Sequence, residues 1–310
     1  MTEKLAPLVL FIYNRPEHTR KTLAAINKNI GADQTVLYVF ADGAKENASE
    51  TDLESIDAAR KVVTEQQWCR KVKLTVREAN MNLEDNIISG VTEVINKYGK
   101  AIVLEDDIVT SPYFLKYCND GLILYENTKH VFSINGFMFP IDFQTGPEVQ
   151  TFLSPYATSS WGWATWADRW GQFEHAPNDI GVIETSDFLT KRFNFGEINI
   201  LNMLKYLNSW DARWYYTAFI KNGIGLFPTK PLTKNIGFDG SGTHSGMEDI
   251  PQEIYNLPVE LLFQDAIDLN KYAIFQNYFE ANPPSIIQRI KNRIKRYLPV
   301  ILLKKKGITL

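Results

Sequence analysis

The sequence predicts an α/β fold: an open, mostly parallel sheet flanked by helices, followed by an irregular, aromatic-rich C-terminal half. Three observations carry that expectation. Short apolar runs alternate with helix-spaced segments through the first 135 residues. The runs are apolar at every position, not every second one, which marks strands buried on both faces. The polar residues able to do chemistry stand where the runs end, as in open sheets that take ligands at the carboxyl ends of their strands.

Taken in order, Leu8 to Tyr13 (LVLFIY) reads as the first buried strand and leads into Asn14-Arg15-Pro16. Glu17 to Asn29 has helical spacing at Thr22, Leu23 and Ile26. Thr35 to Ala41 is a second strand ending at Asp42-Gly43, and a charged helix covers Ser49 to Gln66. Val72 to Val76 is a third strand, and Asn82 to Lys97 carries Ile87, Ile88, Val91, Val94 and Ile95 on one side. Ala101 to Leu104 (AIVL) is a fourth strand that runs directly into Glu105-Asp106-Asp107. Ser111-Pro112 then suits a helix start, with Ser as N-cap and Pro at the first position. Val131 to Asn135 is the fifth strand. After about Pro140 the chain turns aromatic, glycine-rich and less regular. Neither an internal repeat nor a low-complexity linker separates the parts, so residues 1–284 are expected to form one domain with halves at 1–135 and 136–284, and 285–310 a tail.

A chain of 310 residues with 45% hydrophobic and 22% charged side chains can bury a sizeable core. The net charge of −3 hides an asymmetry. Residues 285–310 hold eight Lys and Arg and no acid, which leaves −11 on 1–284. An acidic body argues against nucleic acid as a partner. Cys69 and Cys118 have no metal-ligand spacing and read as reduced thiols, which suits a cytoplasmic protein. No basic region with a separate apolar stretch opens the chain, so no signal peptide is expected, and no apolar run approaches membrane-span length.

Three successive carboxylates at a strand end repel one another and call for a positive partner. A divalent cation is the economical one, since Mn²⁺ or Mg²⁺ takes one or two carboxylates plus diphosphate oxygens and water. The other reading is an acidic turn before the helix near Ser111. Asn14-Arg15-Pro16 offers a cation at a helix N-terminus, an anion site or a plain turn. Asp42-Gly43 is either a carboxylate for a base or ribose, or simply a good turn. Trp161-Gly162-Trp163-Ala164-Thr165-Trp166, followed by Arg169-Trp170, sets four tryptophans within ten residues. One or two of those rings are expected to line a sugar cleft and the others to pack in the core. Asp211, between Trp210 and Trp214, is a general-base candidate or half of an ion pair with Arg213. Residues 234–246 carry four glycines and His244, as a loop closing over a diphosphate would. No phosphate-loop motif and no protein-kinase motif set is present.

In this order the landmarks resemble the GT-A fold glycosyltransferases of the N-acetylglucosaminyltransferase I type, over roughly residues 7–246. They are Asn14-Arg15-Pro16, Asp42, Leu104-Glu105-Asp106-Asp107 with Ser111-Pro112-Tyr113-Phe114, Ser133-Ile134-Asn135, Gly162-Trp163 to Trp170, Trp210-Asp211, and His244-Ser245-Gly246. The later segments also look like bacterial surface-polysaccharide sugar transferases. The resemblance implies that 1–135 binds a nucleotide-sugar, with UDP as the nucleotide, and that 136–284 takes the acceptor. It gives Asp107 the metal, Asp106 the ribose, Glu105 the donor sugar, and Arg15 and Asp42 the nucleotide, while His244, read from the loop itself, is placed to reach the metal or the phosphates. Asp211 becomes the base of an inverting hexosyl or N-acetylhexosaminyl transfer, with Trp161, Trp163 and Trp210 at the acceptor cleft. The family tends to have two adjacent acids where this chain has Asp211-Ala212. A retaining transferase, a nucleotidyltransferase and an inactive carbohydrate-binding or scaffold protein on the same fold are the rival readings.

In the tail, Ile286, Ile287, Ile290, Ile294, Tyr297 and Leu298 recur at helical spacing among basic residues. That is the pattern of a helix lying on an anionic membrane surface, where a lipid-linked glycan acceptor would be found. It also fits a helix packed on the body with a solvated face.

Overall fold

In the computed structural model, residues 5–194, 199–206, 209–239 and 253–281 are described. The strands are β1 Leu8–Ile12, β2 Val36–Ala41, β3 Lys71–Val76, β4 Lys100–Glu105, β5 Ile108–Thr110, β6 Val131–Asn135, β7 Thr151–Ser154, β8 Trp163–Trp166, β9 Ile224–Pro228 and β10 Thr233–Asn235. The helices are α1 Pro16–Asn27, α2 Glu50–Thr64, α3 Asn82–Tyr98, α4 Phe114–Leu124, α5 Ala167–Trp170, α6 Ile180–Glu184, α7 Asp187–Phe193, α8 Ile200–Tyr206, α9 Trp210–Ile220 and α10 Leu269–Ala281.

Eight strands form one mixed, mainly parallel sheet in the order β3-β2-β1-β4-β8-β6-β9-β7. The left side, β3 to β4, is parallel throughout. β8 then runs antiparallel to both β4 and β6. Strands from both halves of the sequence therefore hydrogen-bond within a single sheet.

The buried runs behave as their composition requires. Leu8, Leu10 and Ile12 of β1, with Ile102 and Leu104 of β4, pack under α1, α2 and α4. Val9, Phe11, Ala101 and Val103 point the other way, against α3 and the Trp163–Trp170–Trp210–Trp214 cluster. Helices thus cover both faces, and each strand spends alternate residues on each. A third aromatic cluster joins α7 to α10 around Phe152, Phe193 and Phe227.

Local signals mostly do what they predict. Pro16 opens α1, and Ser49 caps α2 in a reciprocal capping box with Asp52. Gly99 closes α3 at φ 78°. The expected helix start at Ser111-Pro112 is corrected: α4 begins at Phe114 with Tyr113 as N-cap. The Ser111 amide is drawn into a ladder instead, donating to Leu232 O at 2.7 Å, beside the two-stranded pairing of β5 with β10. Both cysteines are buried and free. Among the described residues no helix is long and apolar enough to cross a membrane.

Candidate active site

β1 and β4 are parallel neighbours, with Leu10 opposite Leu104 and Phe11 opposite Glu105. From β1 the chain turns back toward β2, and from β4 it leaves toward the other edge. Their carboxyl ends diverge there and leave a crevice, the place where open α/β sheets take ligands. Arg15 stands at the end of β1 and the acidic trio at the end of β4, so register alone brings them together.

Arg15 Nη2 forms a close ion pair with Asp106 Oδ1 and donates to Asp107 Oδ2 at 2.9 Å. Asp106 is 4% exposed. Its other oxygen accepts from the Tyr13 amide at 3.3 Å, and Thr22 Oγ1 donates to its carbonyl at 2.8 Å. Burial pushes the Asp106 carboxyl up to about 6 even though Arg15 pulls it down, and Asp107 adds repulsion. Burial also works against the Arg15 cation, but its two carboxylates hold its pKa above the usual arginine range.

Glu105 accepts no hydrogen bond at its side chain among the described residues. Burial raises its carboxyl well above the usual range, and Asp107, Asp211 and Asp106 push in the same direction. Asp211 thus lies within electrostatic reach of Glu105, having come from the N-terminus of α9, 106 residues on in sequence. Asp211 Oδ1 is fastened to the Ala212 amide at 2.8 Å and to the Ser209 hydroxyl. Its second oxygen accepts nothing among the described residues. No ion pair joins it to Arg213.

The glycine-rich segment begins directly over the acids. Ile236 N donates to Asp107 O at 2.9 Å, continuing the β5–β10 pairing. Gly237 follows, and a Cβ there would stand 2.3 Å from Asp107 Oδ2 and 3.0 Å from Arg15 Nη1, so any larger residue would have to displace the side-chain ends of the ion pair. His18 Nε2 meets Ile236 O at 3.2 Å and Asp239 Oδ2 at 3.1 Å. His244 and the rest of that loop lie outside the described residues, as does the tail 285–310.

The three expected cleft tryptophans separate. Trp163 (1% exposed) and Trp210 (3% exposed) stack on each other with centroids 5.6 Å apart, inside the cluster with Trp170 and Trp214. Their rings are core, with no face left for a sugar. Trp161 is half-buried, edge-on to Phe137 at 4.4 Å and to Phe238 at 5.5 Å, and so borders the glycine-rich segment. Gly162, at φ 88°, holds it there.

Asp42 is at the end of β2, but its carboxylate is heavily used by the protein. Oδ1 accepts from the Gly43 and Met81 amides, both at 2.9 Å, and Oδ2 from Asn80 Nδ2 at 3.0 Å. Burial is the main reason its carboxyl is raised. Asn135, a landmark of the sequence pattern, is buried and tied by Nδ2 to Ala157 O and Leu226 O, and by Oδ1 to the Ser159 amide, as a structural hub. Sequence reasoning missed Thr22 and His18 as site residues, whereas Gly237 lies in the glycine-rich segment it singled out. The first two follow Arg15 at helical spacing (15, 18, 22), a pattern that marks one face of α1 turned to the acids.

A hard cation fits this donor set chemically. Asp107 Oδ1 is unused among the described residues, and the local charge is an acidic excess over one guanidinium. Among the described residues no group of three or more His, Cys, Asp and Glu converges on a point. Asp107 alone would therefore hold a metal, the remaining ligands coming from diphosphate and water, as Mg²⁺ and Mn²⁺ accept.

No family model and no curated protein matches the sequence. Solved structures similar to the chain include the mannosyltransferase PcManGT from Pyrobaculum calidifontis in complex with GDP-Man and Mn²⁺ (12% identity, 54% of this chain and 46% of that one, TM-score 0.38). Others are S. aureus TarS (11%, 74% and 36%, 0.38) and the galactosyltransferase LgtC with donor and acceptor sugar analogues (8%, 68% and 69%, 0.36). This chain covers less than half the length of the first two. Likeness at this level assigns no role to any residue of the site.

Proposed function

We propose that the protein is a glycosyltransferase that moves a sugar from a nucleotide-sugar, with UDP as the nucleotide, to a glycan acceptor by inversion. The observation that carries this reading is that Asp211, from α9, lies within electrostatic reach of Glu105, next in sequence to the carboxylates that pair with Arg15. Donor and base functions then face each other, as an in-line displacement requires.

In this reading Arg15 and Asp106 fix the ribose and phosphate end of the donor, Asp42 lies beside the base, and Glu105 takes the hydroxyls of the donor sugar. Asp107 would hold a Mn²⁺ or Mg²⁺ ion, which would supply charge neutralisation at the leaving diphosphate. The free oxygen of Asp211 accepts the proton of the acceptor hydroxyl. The acceptor oxygen bonds to the anomeric carbon as the bond to the diphosphate oxygen breaks, and the nucleoside diphosphate leaves with that electron pair. Trp161 offers the acceptor an apolar ring, and the segment from Ile236 onward, with His244, shields the diphosphate from water. The basic tail 285–310 supports docking at an anionic membrane bearing a lipid-linked acceptor, at the inner face of the cytoplasmic membrane and in surface-polysaccharide synthesis.

The test is calorimetric titration of UDP with Mn²⁺ and then with EDTA. Binding should require the metal, and Asp107→Ala should lose the metal-dependent part with the fold intact. UDP affinity unchanged by Asp107→Ala in Mn²⁺ would remove the metal assignment.

A further inference from the structure

A second cleft, of about 590 Å³, lies away from the acidic trio between α3 and α9, lined by Met81, Asp85, Ile88, Ser89, Thr92, Glu93, His175 and Arg213. Its volume falls in the range that small-molecule sites occupy. Its floor holds an unresolved charge. Arg213 is 7% exposed, yet no carboxylate among the described residues is within ion-pair distance of it. Its Nε is enclosed with no hydrogen-bond partner. Nη1 makes one long contact, 3.4 Å, to His175 O, and the guanidinium lies 5.7 Å from the Phe173 ring centroid.

Arg169, another buried arginine whose Nε is also unpartnered, differs in having its charge met from within the protein. It pairs with Asp168 at 2.7 Å and donates to the carbonyls of Tyr125, Glu126 and Thr128. A buried cation without such compensation is costly, and a ligand anion is what would offset it. The cleft's hydroxyls are already engaged: Thr92 Oγ1 accepts from Trp170 Nε1 at 2.9 Å and donates to Ile88 O, and Ser89 Oγ accepts from Arg77. Asp85 and Glu93 stand exposed on the rim, where they accept from ligand hydroxyls but repel a ligand anion, a repulsion that neutral amides would remove while still accepting.

We propose that this cleft binds a hydroxylated ligand of monosaccharide size carrying a carboxylate or phosphate, with Arg213 as counter-charge to that anion. The cleft adjoins Asp42 through Met81, whose amide donates to Asp42 Oδ1 at 2.9 Å, but it is lined by none of the residues given a part in the transfer reaction. Asp211 and Arg213 are two residues apart on α9 and project in different directions, so one helix serves both places.

The experiment is calorimetric titration of the full chain with glucuronate, glucose 6-phosphate and the neutral methyl glucoside. At least one anion should bind at one site per chain, tenfold or more above the neutral sugar. Binding of glucuronate alone assigns a carboxylate, and of glucose 6-phosphate alone a phosphate. Arg213→Met should erase the preference, and the double variant Asp85→Asn, Glu93→Gln should tighten anion binding about twofold to fivefold by removing the rim repulsion. Equal affinity for neutral and anionic sugars, or no binding of any, would overturn the proposal. So would a folded Arg213→Met that keeps the preference. If Arg213→Met fails to fold, the rim variant decides: no tightening overturns the assignment.

Discussion

Replacing Asp106 with Asn is expected to stabilise the protein near neutral pH while harming its chemistry. Asp106 has its carboxyl at about 6 in the folded state against an ordinary 3.8. Because the folded value is the higher one, the native state holds the proton more tightly. Stability is therefore lost as pH rises from about 4 to 6, and the full penalty of about 3 kcal/mol is present above that window. Asparagine stands in for the protonated acid and carries no such penalty. Its amide turns one N–H toward a donor, either the Tyr13 amide or Arg15, which takes back about 1 kcal/mol. The net gain near pH 7.5 is then about 2 kcal/mol, on the order of 3 °C in Tm for a chain of this length. By pH 4 the relief from ionisation falls to about half a kcal/mol, and the variant becomes neutral or slightly destabilised. Urea unfolding of the two proteins at pH 4, 5, 6 and 7.5 measures the difference directly. A variant that is less stable at pH 7.5, or whose difference from the parent is flat with pH, would refute the view that Arg15 only partly compensates this buried charge.

Other outcomes follow from the same geometry. Asp211→Asn should bind UDP as the parent does and lose transfer by 10²-fold or more, read as product release with a donor and a glycan acceptor; normal turnover would move the base elsewhere. Gly162→Ala should cost about 2–5 kcal/mol, combining a left-handed backbone with overpacking. Its Cβ would lie 2.8 Å from Thr233 Cγ2 and 3.2 Å from Leu104 Cδ2, and a shift in urea midpoint at constant slope checks it. Deleting 285–310 should abolish sedimentation with anionic liposomes and leave UDP binding unchanged.

Much of the sheet is readable in the chain because its strands are local and emphatic. Leu8–Ile12 and Val36–Ala41 are apolar at consecutive positions, and that is what burial on two faces demands. β5 is different: three residues long, it exists only because β10 arrives from more than 120 residues away to pair with it. That arrival is also what moves the start of α4 past Ser111-Pro112. The acidic trio is legible as a strand-end cluster, and its pairing with Arg15 follows once β1 and β4 are neighbours. The nearness of Asp211 to Glu105 is not, since it depends on how α9 packs. Trp163 and Trp210 are indistinguishable by residue type from Trp161, and only their packing assigns two to the core and one to the rim. Arg213 reads as a partner for Asp211 in sequence because i and i+2 look close there, whereas a helix turns them apart.

The reversed direction of β8 has an implication for how such a protein can diversify. Val103 pairs with Trp163 and Lys100 with Trp166, so this strand begins, not ends, beside the crevice. The residues just ahead of it, 159–162, are thus on the ligand side together with the segments leaving β1, β2 and β4, with the Ser159 amide tied to Asn135 at the end of β6, whereas α5 departs on the far side. Insertions and sequence drift ahead of Trp163 would reshape what the crevice selects, and the same changes after Trp166 would pass unnoticed by the substrate. A designer seeking a new acceptor should randomise the approach to β8 and leave its exit alone.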